Sequence, residues 1–125
     1  MAAHDPSRPT LYYDGACPVC AREIALYRRQ PGAEALHWVD AARCEPAELG
    51  IGLSRQAALA ALHLRQPDGS LVAGASAFAA LWLALPRWRW LGRLFSAPAG
   101  AFLLEHAYRA FLALRPLWRR AQPTR

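Results

Sequence analysis

The chain has 125 residues, 54% of them apolar and 19% charged, and carries a formal net charge of +6. That balance fits one globular unit able to bury a core, and it excludes a disordered chain. All fifteen cationic side chains are arginine, which removes lysine Schiff-base and lysine general-base chemistry, and three cysteines are too few for a disulfide scaffold.

Residues 1–10 read as a flexible lead rich in Pro, Ser and Asp, with no apolar stretch of the secretory-signal kind. Residues 11–120 read as one domain. Leu11–Tyr13 favours a strand, which Asp14-Gly15 ends. From Cys17 the pattern turns helical: Cys20, Ile24 and Tyr27 share one face, Arg22, Arg29 and Gln30 lie off it, and Pro31-Gly32 stops the helix. Ala35–Asp40 is the second strand. Residues 43–53, broken by Pro46, Gly50 and Gly52, hold at most a helical turn. Ser54 suits the N-cap of a short helix to Leu59. Ala61–Gln66 and Leu71–Ala73 flank Pro67-Asp68-Gly69, a turn sequence, so they form an antiparallel hairpin.

After Gly74 the chain is helical. Ala75–Leu85 is stopped by Pro86, Trp88–Phe95 is a shorter segment, and Pro98 or Ala99 opens a long helix to about Leu114 that Pro116 ends or kinks. The longest apolar run, around Ala77–Pro86, falls short of the roughly 18 residues that span a bilayer. The first two strands, joined through a helix, favour a right-handed parallel crossover, and the last two form a hairpin. The expected fold is α/β: a thioredoxin-like mixed four-stranded sheet flanked by helices, with extra C-terminal helices over 86–120.

The pair Cys17 and Cys20, between a strand and a helix, invites three chemistries. In a redox pair Cys17 stands at the helix mouth, where free N–H groups and the helix dipole favour a thiolate and lower a cysteine pKa from about 8.5 into the range of roughly 3.5–7.5. Cys20, one turn on and on the inner side, then resolves the mixed disulfide. Pro18 suits the first helical turn, where no hydrogen bond is lost, and Val19 adds apolar bulk. A zinc site needs a second close pair of ligands, yet Cys44, His4, His37, His63 and His106 are scattered singly. Burial of both thiols as small apolar residues leaves the proline and the strand–turn–helix setting unexplained. The redox reading is the expected one, with no metal and no bound cofactor, because the electrons reside in the dithiol. Asp14 supports it as a proton acceptor or relay, or else serves as turn and cap. Cys44 reads as a free thiol or a third redox partner, His37 and His63 as lining the sheet.

Tyr13-Asp14-Gly15-Ala16-Cys17-Pro18-Val19-Cys20 resembles the signature of the DCC family of thiol–disulfide oxidoreductases: an aromatic strand, Asp-Gly, then CxxC entering a helix. Leu62-His63-Leu64, Asp68-Gly69 and Gly74-Ala75-x-Ala77-Phe78 look like that family's later strand, turn and glycine-led helix. Pro86, Pro98, Ala107-Tyr108-Arg109 and Arg115 look like its C-terminal portion. The resemblance covers residues 11–116 and implies a thioredoxin-like fold and dithiol–disulfide exchange by Cys17 and Cys20 with a protein or small-molecule thiol or disulfide. The chain departs from thioredoxin and glutaredoxin in one respect: no proline lies between Pro46 and Pro67, so Ala60–Leu62 lacks the cis-proline that those proteins place against their CxxC. Gly74 offers a backbone approach point for a thiol ligand such as glutathione, or a turn into the next helix.

Charge is unevenly spread. Residues 1–85 hold seven Arg against eight acidic residues, whereas 86–125 hold eight Arg against Glu105 alone. The segment "PRWRWLGRLF" suits a membrane surface or a protein partner; nucleic acid ranks last, since no recognised binding fold accompanies the charge. The packing expectation is that Trp88, Trp90, Leu91 and Leu94 cover the sheet with the arginines in water. In the last helix Leu103, Ala107, Ala110, Leu114 and Trp118 would form the packed stripe, with Glu105 and Arg109 paired on another face. Together these features point to a cytoplasmic thiol–disulfide oxidoreductase, the absence of a signal favouring reduction of substrates over oxidative folding. The alternative is a non-catalytic module that binds a membrane or protein through its basic C-terminal surface.

Overall fold

A computed structural model describes residues 8–121, with side chains through Leu117; most of the 1–10 lead, His4 and the Trp118 side chain lie outside the described residues. Strand β1 (Thr10–Tyr13) leads into helix α1 (Pro18–Arg28) and strand β2 (His37–Asp40). Helices α2 (Pro46–Leu49) and α3 (Arg55–Ala60) precede strands β3 (His63–Arg65) and β4 (Leu71–Ala73). Helices α4 (Ala75–Ala84), α5 (Arg89–Ser96) and α6 (Pro98–Ala121) complete the chain. The Ala35–Leu36 start of the second expected strand belongs instead to a 3-10 turn over Ala33–Ala35 and its cap, where Leu36 N–H bonds the Ala33 carbonyl.

The sheet has the order β2-β1-β3-β4. β1 runs parallel to β2, with Leu11 opposite Trp38, and antiparallel to β3, with Leu11 opposite Leu64. β3 and β4 form the expected hairpin. The mixed sheet with helices on both faces is a thioredoxin-like α/β architecture. Side chains alternate across a strand, and this divides the core in two. Leu11 and Leu64 face Ile24, Tyr27, Leu81 and Trp82 of α1 and α4. Tyr12 and Val39 face Leu49 and Ala58 of α2 and α3.

Local signals placed the short helices. Ser54 Oγ accepts the Ala57 N–H at 3.0 Å, as an N-cap should. Gly92 lets α5 lie backbone-close on α4: a Cβ there would come within 2.7 Å of Leu83 N and 2.9 Å of Ala79 O. That contact turns Trp88, Leu91 and Phe95 inward, and Trp88 meets Tyr27 edge-on at 5.2 Å. Trp90 and Leu94 lie on the opposite side of α5 and are 64% and 53% exposed. The expectation that all four apolar residues of this segment cover the sheet is thus half right.

Helix α6 corrects two expectations. It continues through Pro116 to Ala121 rather than ending there. It also presents a different face to the core. Leu104, Tyr108, Phe111 and Leu112 pack inward, while Leu103, Ala107, Ala110 and Leu114 stay exposed. The reason is polar. Tyr108 and Arg115, seven residues apart and so on one helical face, are tethered to the sheet side of the molecule, and those tethers set the rotation of the helix.

Candidate active site

The Asp14-Gly15 turn sets the position of the cysteines. Asp14 Oδ1 accepts the Ala16 N–H at 3.0 Å, an Asx-turn, and the Cys17 N–H bonds the Asp14 carbonyl at 3.2 Å. Gly15 donates its N–H to Asp40 Oδ1 at 2.9 Å, and a Cβ at this position would collide with that carboxylate. The loop after β1 is thereby pinned to the end of β2, its parallel neighbour.

Cys17 is the N-cap of α1, in extended conformation (φ −88°, ψ 119°), and Pro18 takes the first helical position. Cys17 Sγ accepts the Cys20 N–H at 3.4 Å, the contact a capping side chain makes with an otherwise unpaired donor. Exposure does not follow the expected order. Cys17 is fully buried, whereas Cys20, expected on the inner side, is half-buried and lines a cleft under α6. Burial is the main cause that raises the Cys20 pKa above the usual 9.0; the Cys17 sulfur adds to the rise and the Arg115 charge opposes it.

Arg115 completes the site from α6. Its Nη2 donates to Asp14 Oδ2 at 3.1 Å, with the two side chains only 12% and 3% exposed. The same guanidinium donates to the carbonyls of Leu59 and Ala60. Two turns earlier, Tyr108 Oη accepts the Leu62 N–H at 2.8 Å. The backbone just before β3, where the chain lacks a proline, is therefore held by two side chains of α6. Ala61 there is fully extended (φ −157°, ψ 157°).

The cleft of ≈ 30 Å³ has room for little more than water and is bounded by Cys20, Asp14, Tyr108 and Arg115. Glu23 and Phe111 border both it and a wider groove of ≈ 670 Å³ along the outer side of α1, which Pro18 and Val19 also line. Glu23 accepts the Tyr27 hydroxyl at 3.0 Å, and Trp82 Nε1 donates to that hydroxyl at 3.1 Å. Burial raises the Glu23 carboxyl pKa above its usual value.

The other sequence candidates lie apart from this arrangement. Cys44 packs with the α2–α3 core cluster beside Arg55, which donates to the Cys44 carbonyl at 2.7 Å. Burial raises its thiol pKa. His63 bonds the Ala61 carbonyl through Nδ1, His106 bonds Phe102, and His37 opens β2. Among the described residues no three His, Cys, Asp or Glu side chains gather as a metal set. Gly74 (φ 67°) caps α4 and donates to the Leu62 carbonyl, and the Tyr108 ring lies over it, so the space for a ligand there is filled by α6.

Sequence reasoning singled out Cys17, Cys20 and Asp14, and the structure brings the three together. It gave no role to Tyr108 or Arg115, which reach the site across 46 and 101 residues of chain. A buried aromatic and an arginine on one face of a helix were the available signal. A family model described as DCC1-like thiol-disulfide oxidoreductase matches residues 11–121. Comparison with curated proteins gave no match, and comparison with solved structures gave none either.

Proposed function

The chain belongs to the DCC1-like thiol-disulfide oxidoreductase family, and from that premise we propose that it reduces disulfides with Cys17 as attacking and Cys20 as resolving thiol. Cys17 sulfur attacks one sulfur of the substrate disulfide, and the substrate's other sulfur leaves as a thiol once it takes a proton. Cys20 then gives up its proton and attacks Cys17 Sγ. The Cys17–Cys20 disulfide forms, the second substrate thiol departs, and two electrons have passed from protein to substrate.

One observation carries the reading: the Cys17 sulfur is seated as the cap of α1 and accepts the Cys20 N–H. A hydrogen bond to sulfur strengthens as negative charge builds on it, and the helix dipole acts in the same sense. Asp14 is the nearby carboxylate that takes the Cys20 proton, with Arg115 holding it in place. The fully buried Cys17 requires the site to open before an external disulfide reaches it. The groove beside Pro18 and Val19 is large enough for a small molecule or a peptide segment, at ≈ 670 Å³.

The test is single-turnover reduction of hydroxyethyl disulfide by the reduced protein, with the protein product mapped by mass spectrometry. Wild type yields an internal Cys17–Cys20 disulfide, Cys20→Ser accumulates a mixed disulfide on Cys17, and Cys17→Ser loses exchange. A Cys17→Ser variant as fast as wild type overturns the proposal.

A further inference from the structure

Helix α6 is amphipathic in a sense that its core contacts do not use. Its inward face carries Tyr108, Phe111 and Arg115. Its exposed residues from Pro98 to Leu117 include Phe102, Leu103, Leu114 and Leu117, each at least 50% exposed, and Arg109 alone among them bears a full charge. A surface helix ordinarily turns its charged residues to water and its apolar stripe to the core. Here the outward side is apolar as well. Apolar surface gathered on one exposed face marks a site of contact. Next to it, Gly100 lets the first turn of α6 sit against the backbone at Leu94, so the exposed Trp90–Leu94 edge of α5 leads into the start of α6. Arg87, Arg89 and Arg93 flank that edge, all exposed.

From this juxtaposition we propose that the outer face of α5 and α6 docks the protein on an anionic lipid bilayer, with the helices lying in the interface. Charge selects the occupant. Residues 86–125 hold eight Arg against one Glu, and Arg115 alone of the described arginines is spent on an internal pair with a distant carboxylate. A second copy would bring the same positive charge against itself. An anionic surface attracts it, by about 1 kcal/mol for each Arg near the headgroups. An exposed Trp with Leu on the same helical edge is the composition that settles at the headgroup level. Among the described residues no helix is long and apolar enough to cross a bilayer, so the contact is peripheral. The docking face lies opposite the side of α6 that reaches Asp14, and it is independent of the redox reading.

The experiment is co-sedimentation of the full chain with phosphatidylcholine vesicles, with and without phosphatidylglycerol, alongside sedimentation velocity without lipid. The expected result is binding only where phosphatidylglycerol is present, weakened by salt. Replacing Arg87, Arg89 and Arg93 together by Gln should weaken it on the order of a hundredfold. Leu103→Asp with Leu114→Asp should abolish it while leaving the circular dichroism spectrum and the thiol exchange rate unchanged. No binding to anionic vesicles overturns the proposal. So does equal, salt-insensitive binding to both vesicles. A lipid-free dimer that Leu103→Asp and Leu114→Asp dissociate, without vesicle binding, also overturns it and assigns the face to a second copy.

Discussion

Arg115→Met removes the guanidinium that faces Asp14. The Asp14 side chain is 3% exposed and Arg115 12%, so the carboxylate is left where little water reaches it. Breaking a buried pair from one side costs about 3–5 kcal/mol. Asp14 keeps its bond from the Ala16 N–H, which places the loss at the lower end, about 3 kcal/mol. The Leu59 and Ala60 carbonyls lose a donor as well, adding about 1 kcal/mol. For a chain of this size, a total of about 4 kcal/mol lowers Tm by roughly 15 °C. Asp14→Asn alone should cost about 2 kcal/mol, since Arg115 then lacks its countercharge. The double variant should cost well below the sum of about 6 kcal/mol, because neither an unpaired carboxylate nor an unpaired guanidinium remains, and the shortfall is the coupling of the pair. Urea denaturation followed by circular dichroism measures all four proteins. A loss below about 1 kcal/mol in Arg115→Met, or strict additivity in the double variant, would refute the argument that this pair clamps α6 over the cysteines.

Three further outcomes follow from the same geometry. Tyr108→Phe leaves the buried Leu62 N–H without its acceptor and should cost about 1–3 kcal/mol, with faster amide exchange at Leu62 by NMR; unchanged exchange there contradicts the assigned bond. Glu23→Gln should raise Tm at neutral pH. The folded carboxyl pKa lies above its unfolded value, so its stabilising effect is full below the ordinary 4.5 and lost as pH rises through the folded pKa. The gain from Gln should therefore shrink toward zero in scans below pH ~4.5, and a gain that persists there removes the protonation argument. Because burial raises the Cys20 thiol above 9.0, its alkylation by iodoacetamide should keep accelerating beyond that pH, read by peptide mass spectrometry; a plateau at or below pH 9 contradicts it.

The DG–CPVC stretch by itself determined much of the site. A strand-ending Asp-Gly, a proline at the first helical position and two thiols one turn apart are local instructions. Hydrogen bonds within a few residues carry them out, from Ala16 to Asp14 and from Cys20 to Cys17. The Ser54 cap and the Pro67-Asp68-Gly69 hairpin were legible for the same reason, and the alternation of Leu11 and Tyr12 already divided the two core faces. The tertiary structure decided which of the thiols is covered, and which face of α6 meets the core. Hydrophobic periodicity marked Leu103, Ala107, Ala110 and Leu114 as the packed stripe, since apolar residues at helical spacing ordinarily face inward. Two long-range tethers, Tyr108 to Leu62 and Arg115 to Asp14, rotate the helix away from that solution. A buried carboxylate or N–H left unpaired costs more than an exposed leucine, so the polar partners fixed the rotation and the leucines were left at the surface.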